Sequence, residues 1–380
     1  MVLAYQLASN GVPVRVLEQH PDFDRELRGE LIGPSVLPAL EQLGWMKLLL
    51  ARGLARTGVQ RRMFVGATRE VVLPGGVERG ALISQPGLLA LLDELCRQAG
   101  NYAIDFGTSV QRVLVADGRT VGLEVRRDGR EERVDADRVV VCSGRGTRLR
   151  KSAGVETELA EKPDDTLWIR LDLADAPEAL PTDTHVHMFG GGVVVVYFAT
   201  TRSRLQIAYS APGDLGALRR DPGALRAALL PRLSEPLRAI VAARLGGSAD
   251  AIDSQLLKVS IDRLRTWSAP GVLFLGDAAH TMGPAGAQGL NLAIRDAIVA
   301  ADHIIDAGGA FEPAVLAAIE AARRPEIEAA QAGQLRAYGM VHKPLFVQHL
   351  MFSMLGLVMR MKKMDRPGAE IIVPRHLVPT

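Results

Sequence analysis

The sequence predicts an α/β protein: a parallel, helix-flanked sheet interrupted by an inserted, mainly antiparallel sheet and followed by a helical C-terminal region. Three observations predict it. Residues 1–18 read as helix, turn, strand and terminal acid; residues 272–304 read as buried strand, glycine-rich loop and apolar-periodic helix; and between them residues 165–260 carry short apolar, β-branched runs.

Met1 to Ala8 is apolar at helical spacing, and Asn10-Gly11 supplies its stop. Val12 to Leu17 is then a strand ending on Glu18. Helix, short turn, strand and acid make the second half of a Rossmann-like βαβ unit, in which the acid bonds a ribose hydroxyl. The first half, a strand with its G-x-G-x-x-G turn, belongs immediately before residue 1. Gly190-Gly191-Gly192 does not replace it, lying far downstream between strand-like runs. A misplaced start codon or a truncation is therefore expected, in preference to a chain complete as it stands.

Arg28-Gly29-Glu30 leads into a helical stretch from Ser35 to Gly44, and Ile83-Ser84-Gln85-Pro86 precedes a helix from Gly87 to Ala99 that Ser84 or Gln85 is placed to cap. Residues 104–142 read as successive strands, with Asp117-Gly118 and Asp128-Gly129 as tight turns. In the inserted block, Leu167 to Leu173, His185 to Phe189, Val193 to Ala199 and Arg204 to Ser210 read as strands, and Ala217 to Leu245 as helix. His185, His187, Tyr197 and Tyr209 are polar side chains that could line its pocket, with a structural role the preferred reading for each, and no metal-ligand spacing links the histidines. After Ala310 the chain is helical, with breaks at Pro325, Pro344 and Pro367. The division that follows is a first nucleotide-binding part at 1–160, a substrate domain at 161–262, a second nucleotide-binding part at 263–310 and a helical region at 311–380.

Composition is that of an ordinary globular chain: 380 residues, 48% hydrophobic, 23% charged, net charge +2, which favours neither nucleic acid nor an acidic partner. Cys96 and Cys142 are the two cysteines, far apart and in no CxxC pattern, so a disulfide framework and a structural zinc site are unsupported and a cytoplasmic setting fits. Leu345 to Met361 is apolar but interrupted by Gln348 and His349 and shorter than the roughly 20 residues of a membrane span. It reads as a packed C-terminal helix or a homodimer contact.

The segment with most chemical content runs from Phe274 through Gly276-Asp277, Pro284, Gly286 and Gly289-Leu290-Asn291 to Asp296. Asp277 stands where a buried strand ends and can accept hydrogen bonds from hydroxyls; the glycines allow backbone N–H groups to approach a ligand, and the helix that follows turns its positive end toward it. That order suits the middle of a flavin. The segment resembles the second flavin motif of the FAD-dependent monooxygenases of the aromatic-hydroxylase, para-hydroxybenzoate hydroxylase-like type, and the resemblance extends from residue 1 to about 335.

The resemblance implies that Asp277 holds the ribityl chain, Pro284 lies near the reactive edge of the isoalloxazine, and the Gly289-Leu290-Asn291 backbone faces its pyrimidine end. It also implies Glu18 at a ribose, Arg28 near the cofactor and substrate entrance, and Gln85 at the ribityl or phosphate region. The family's Asp-Gly motif becomes Ser143-Gly144 here, which removes a charge linked in relatives to pyridine-nucleotide use. The implied activity is hydroxylation of a small or medium aromatic or polyketide-like molecule with FAD, NAD(P)H and oxygen. No acid-base pair or nucleophile stands out, which fits chemistry carried by the cofactor. Alternatives are a flavin-dependent reductase of the same superfamily and a degenerate, non-catalytic flavin-fold protein. A halogenase is disfavoured, since Trp45, Trp168 and Trp267 form no W-x-W-x-I-P string.

Overall fold

Two parallel strand pairs carry the loops of interest. Val14–Leu17 pairs with Tyr102–Asp105, and Val139–Val141 with Val272–Phe274, which has Ser268–Ala269 as an antiparallel neighbour. The structure is a computed structural model that describes residues 1–24, 30–71, 79–175, 180–201, 203–245, 253–362 and 371–376. Val272, Leu273 and Phe274 are each fully buried, as a strand covered on both faces requires. Helix Val2–Ser9 is buried from Leu3 to Ala8, and its Leu3 and Leu7 share a core with Leu273, Leu275, Ala300 and Ile304. It ends where expected, with Gly11 at φ +80°.

The run of strands after residue 104 is a meander, Thr108–Ala116, Arg119–Arg127 and Arg130–Asp135. Its turns put both central residues in the left-handed region, Asp117 (φ 50°) with Gly118 (73°) and Asp128 (49°) with Gly129 (78°). That is the hairpin geometry Asp-Gly pairs select.

A nine-stranded, mainly antiparallel sheet dominates the other side of the molecule. Its order is Asp253–Leu257, Thr166–Asp172, Arg204–Ser210, Val194–Ala199, Thr184–Met188, Ala55–Val65, Arg79–Ile83 and Leu31–Ile32, with Arg69–Val71 paired to Ala55–Val65. Residues 31–83 thus complete the inserted sheet, through strands whose arginine-rich alternation hides them in the sequence. One face packs Leu167, Ile169, Val195, Tyr197, Ile207 and Tyr209 against three helices. The other face is turned toward the flavin-motif loops.

Those three helices, Leu215–Arg220, Pro222–Leu229 and Leu237–Arg244, correct the single helical stretch expected over 217–245. Asp221 caps a new helix by accepting from the Ala224 N–H at 2.9 Å, and Pro222, Pro231 and Pro236 interrupt the ladder. Pro325 errs the other way: Pro313–Val341 runs as one helix through it. A proline inside a helix costs roughly 3 kcal/mol, but here Arg323 binds Asp296 and Arg324 binds Glu320 and the Leu264 carbonyl, fixing the turn on both sides. The break at Pro344 is present, separating that helix from Leu345–Lys362. No described helix is long and apolar enough to cross a membrane. Pro367 lies outside the described residues.

Candidate active site

A cavity of about 1040 Å³ separates the flavin-motif loops from the open face of the large sheet. The strand Val272–Phe274 delivers Asp277 to it. Gly276 (φ +58°) turns the chain out of the strand, and a Cβ there would come within 3.1 Å of Ala293. Asp277 then borders the cavity, its Oδ2 accepting from Arg145 Nε at 3.0 Å.

Arg145 also donates through Nη2 to the Met282 carbonyl at 2.7 Å, while Arg150 donates to the Ala278 carbonyl at 2.8 Å and to Asp262 at 2.8 Å. The segment after the Val139–Val141 strand is therefore clipped onto the Asp277 loop by two guanidinium groups. Ser143, in the place of the family's aspartate, donates to Thr147 Oγ1 at 2.9 Å; Thr147, and not Ser143, then accepts from the Leu149 N–H.

Beneath the loop lies a buried ionic node. Asp296, with no exposed surface, accepts from the Gly276 N–H (3.1 Å), His280 Nε2 (2.7 Å) and Arg323 Nε (2.8 Å). Burial alone would raise its pKa, but His280 and Arg323 more than reverse that and hold the carboxyl below the usual range. Gln334 fixes the next stretch, accepting from the Gly283 N–H at 2.9 Å and donating to its carbonyl at 3.1 Å.

From Pro284 the chain passes through Gly286 (φ 82°) and Ala287 (φ 52°) into the helix Gln288–Asp306, whose N-terminus has no side-chain cap. Pro284, Gly289 and Leu290 border the cavity, so this uncapped positive end opens onto it. Asn291 does not border it. Its Oδ1 accepts from the Gly33 N–H (2.8 Å) and its Nδ2 donates to the Leu31 (3.0 Å) and Ala287 (2.8 Å) carbonyls, so the side chain ties the helix start to the sheet edge.

The profile of the FAD binding domain family matches residues 1–332. The chain belongs to that family. Among curated relatives it is 30% identical over 352 residues to 6-methylpretetramide 4-monooxygenase of Streptomyces rimosus, covering 87% of this chain and 79% of the relative. It is 25% identical to protoasukamycin 4-monooxygenase of Streptomyces nodosus subsp. asukaensis over 85% of this chain and 81% of that one. Similar solved structures include PqsL of Pseudomonas aeruginosa (TM-score 0.75, 20% identity, covering 93% of this chain and 95% of that one) and 2-methyl-3-hydroxypyridine-5-carboxylic acid oxygenase (0.71, 22%, 90% and 89%). At those identities the structures attest the fold. This member of the FAD binding domain family is an FAD-dependent oxidoreductase of the monooxygenase type.

The residues of this FAD binding domain protein fit the cofactor. The Asp277 carboxylate borders the cavity and can accept from hydroxyl groups of a ligand, and the uncapped helix end beside it carries positive potential. Arg145 Nη1 and Gln288 Oε1, on cavity-bordering residues, are buried without protein partners, as polar atoms awaiting a polar ligand would be. Gln85 borders the cavity as the first residue of Gln85–Ala99, and the cap is Ser84, whose Oγ accepts from the Gly87 N–H. Glu18 does not border it; its carboxylate accepts from the N–H of His20, which does. Arg28 lies outside the described residues.

The polar side chains of the sheet take the structural role preferred for them, and the cavity is lined by others. Thr184, Val186 and Met188 border the cavity, whereas His185 and His187 point to the opposite face, where Tyr197 OH lies 3.1 and 3.2 Å from their ring nitrogens and Phe64 stacks on His187 at 4.4 Å. Tyr209 is buried on that same face. Strand alternation put the conspicuous polar residues behind the sheet. The cavity side instead carries Trp168, Val196, Phe198, Thr166 and Ser210, and the facing helix adds Tyr338, whose phenol burial pushes up to about 12. Tyr338 was missed because it comes from a segment whose pattern speaks only of helix; Arg145 stands in the Ser143-Gly144 segment that the resemblance already marked, but nothing there records Asp277 as its partner.

Proposed function

We propose that this protein hydroxylates a small or medium aromatic or polyketide-like molecule, using FAD, NAD(P)H and oxygen. The observation that carries the reading is the continuity of one cavity, running from Asp277 and the uncapped helix end to an apolar sheet face bearing Trp168 and Phe198. The names of the Streptomyces relatives, which act on pretetramide and asukamycin-type molecules, favour the same substrate class.

Bound FAD would supply the redox and oxygen chemistry. The chain's own residues bind, orient and shield. Asp277 would hold the ribityl chain, Gln85 would meet the ribityl or phosphate region, Pro284 would lie near the reactive edge of the ring, and Glu18, set back from the cavity behind His20, would reach a ribose hydroxyl outside it. The first-turn backbone at Gly289, Leu290 and Asn291 stabilises negative charge through a preorganised dipole that needs no rearrangement. The sheet face excludes water from the reacting ring. No side chain is required as proton donor for this reading, and Tyr338, whose hydroxyl stays protonated at neutral pH, is placed to donate a hydrogen bond inside the cavity.

The division at residues 160, 262 and 310 belongs to the same reading, the middle unit supplying most of the substrate wall and the strands between residues 31 and 83 the rest. A cytoplasmic setting without nucleic-acid partners accompanies it. The exposed Phe346, Leu350, Met351 and Met354 of the Leu345–Lys362 helix favour a homodimer.

The test is direct. The purified protein should titrate with FAD, and Asp277→Ala should weaken that binding about tenfold or more. Oxidation of NADH or NADPH should accelerate when a suitable aromatic is added. A wild-type protein that takes up no FAD, or an Asp277→Ala variant with unchanged affinity, would remove the cofactor reading. Reductant oxidation indifferent to every aromatic tried would remove the hydroxylase reading.

A further inference from the structure

We propose that the substrate is a flat, fused-ring molecule with an oxygen substituent on one edge, and that Thr184 is the specificity-determining side chain that reads that edge. This rests on the monooxygenase reading above and narrows its substrate.

The register of the large sheet sets a row of side chains across the cavity. Trp168 pairs with Ala208, Ala208 with Val196, Val196 with Val186 and Val186 with Met63. All five border the cavity. At about 4.8 Å between strands the row spans roughly 19 Å. Its middle is Ala208, Val196 and Val186, small or β-branched, with the larger Trp168 and Met63 at the ends. Such a floor is flat, apolar and longer than one aromatic ring. A single ring would leave most of it wet, whereas fused rings would cover it.

Polar groups flank the row on both sides, and they differ in how well they are satisfied. On one side Thr166 and Ser210 sit opposite each other, their hydroxyl oxygens 2.6 Å apart. Within the row, Trp168 Nε1 already donates to Gln206 at 2.7 Å. On the other side stands Thr184, which pairs with Arg61 in register and is 5% exposed. Its Oγ1 is buried and has no hydrogen-bond partner. An unmatched buried hydroxyl is unfavourable, and a site containing one discriminates strongly for ligands that complete it. Since Thr184 borders the cavity, a carbonyl or hydroxyl on the near edge of the ring system is the group that would do so.

The probes are 1,8-dihydroxyanthraquinone, anthracene and 4-hydroxybenzoate. Each is titrated into FAD-loaded wild type, Thr184→Val and Thr184→Ser, with binding read from perturbation of the flavin absorption band. Valine keeps the shape and β-branching of threonine, and FAD content checks that each variant is folded. Dihydroxyanthraquinone should bind wild type at least about tenfold more tightly than 4-hydroxybenzoate. Thr184→Val should weaken that binding about five- to tenfold and leave anthracene within about twofold, and Thr184→Ser should restore most of the loss.

A wild type that binds no FAD would sink the monooxygenase reading itself. With FAD bound, three results would overturn this inference alone: tighter binding of 4-hydroxybenzoate, no response to either fused-ring probe, or dihydroxyanthraquinone affinity unchanged in Thr184→Val.

Discussion

Replacing Asp296 by asparagine tests how the flavin loop is held. Asp296 is fully buried and accepts from the Gly276 N–H, His280 Nε2 and Arg323 Nε, the last at 2.8 Å from a side chain only 1% exposed. Asparagine preserves the shape but removes the charge, leaving the Arg323 cation buried beside a neutral amide whose NH2 cannot accept. Breaking a buried ion pair from one side costs about 3–5 kcal/mol. Glu326 still pairs with Arg323, so the lower end, about 3 kcal/mol, applies, a change of roughly 150-fold in the folding equilibrium. Urea unfolding followed by circular dichroism measures it. The paired variant Asp296→Leu with Arg323→Met removes both charges and should recover most of the loss. A destabilisation below about 1 kcal/mol, or a paired variant no better than the single one, would refute the reasoning.

Three further outcomes follow from the same geometry. Asn291→Ala removes three hydrogen bonds to the Gly33, Leu31 and Ala287 backbone, so a loss of about 2–3 kcal/mol in unfolding free energy and weaker FAD binding are expected from a side chain that does not touch the cavity. Burial pushes up the thiols of both Cys96 and Cys142, but Cys142 is exposed and borders the cavity while Cys96 is buried, so Cys142 should be the cysteine that maleimide labels and saturating FAD should protect it; unchanged labelling would place the cofactor elsewhere. His185 is pushed down to about 4 by burial, then by His187 and Arg62. Its folded pKa lies below the unfolded value of about 6.5, so the stability it contributes is complete above that pH and is lost as pH falls toward 4. After allowance for partial exposure the loss is about 2 kcal/mol, and His185→Gln should flatten the stability profile over that range.

Local chemistry made part of this site legible in the sequence. Gly276, Asp277, Pro284, Gly286 and Gly289 act through positions adjacent in the chain, so spacing alone reveals a strand end, a turn and a helix start. The Asp-Gly hairpins are legible for the same reason, since the turn geometry is a property of two residues. Contacts between distant segments were not. Arg145 reaches Asp277 across 132 positions and Asn291 reaches Gly33 across 258, and nothing in either neighbourhood records the partner.

The alternation in Thr184–Met188 shows where sequence stops and tertiary structure begins. By itself the sequence determined that these residues form a strand with two unlike faces, that a flavin-type loop follows residue 275, and that the class is α/β with an inserted sheet. Which face meets the cavity was decided by packing. The helices between residues 215 and 244 pack on Tyr197 and Tyr209, on the face that also carries His185 and His187, leaving Thr184, Val186, Met188 and Val196 toward the cavity. A period of two is symmetric between faces, and only the bodies packed against the sheet break that symmetry.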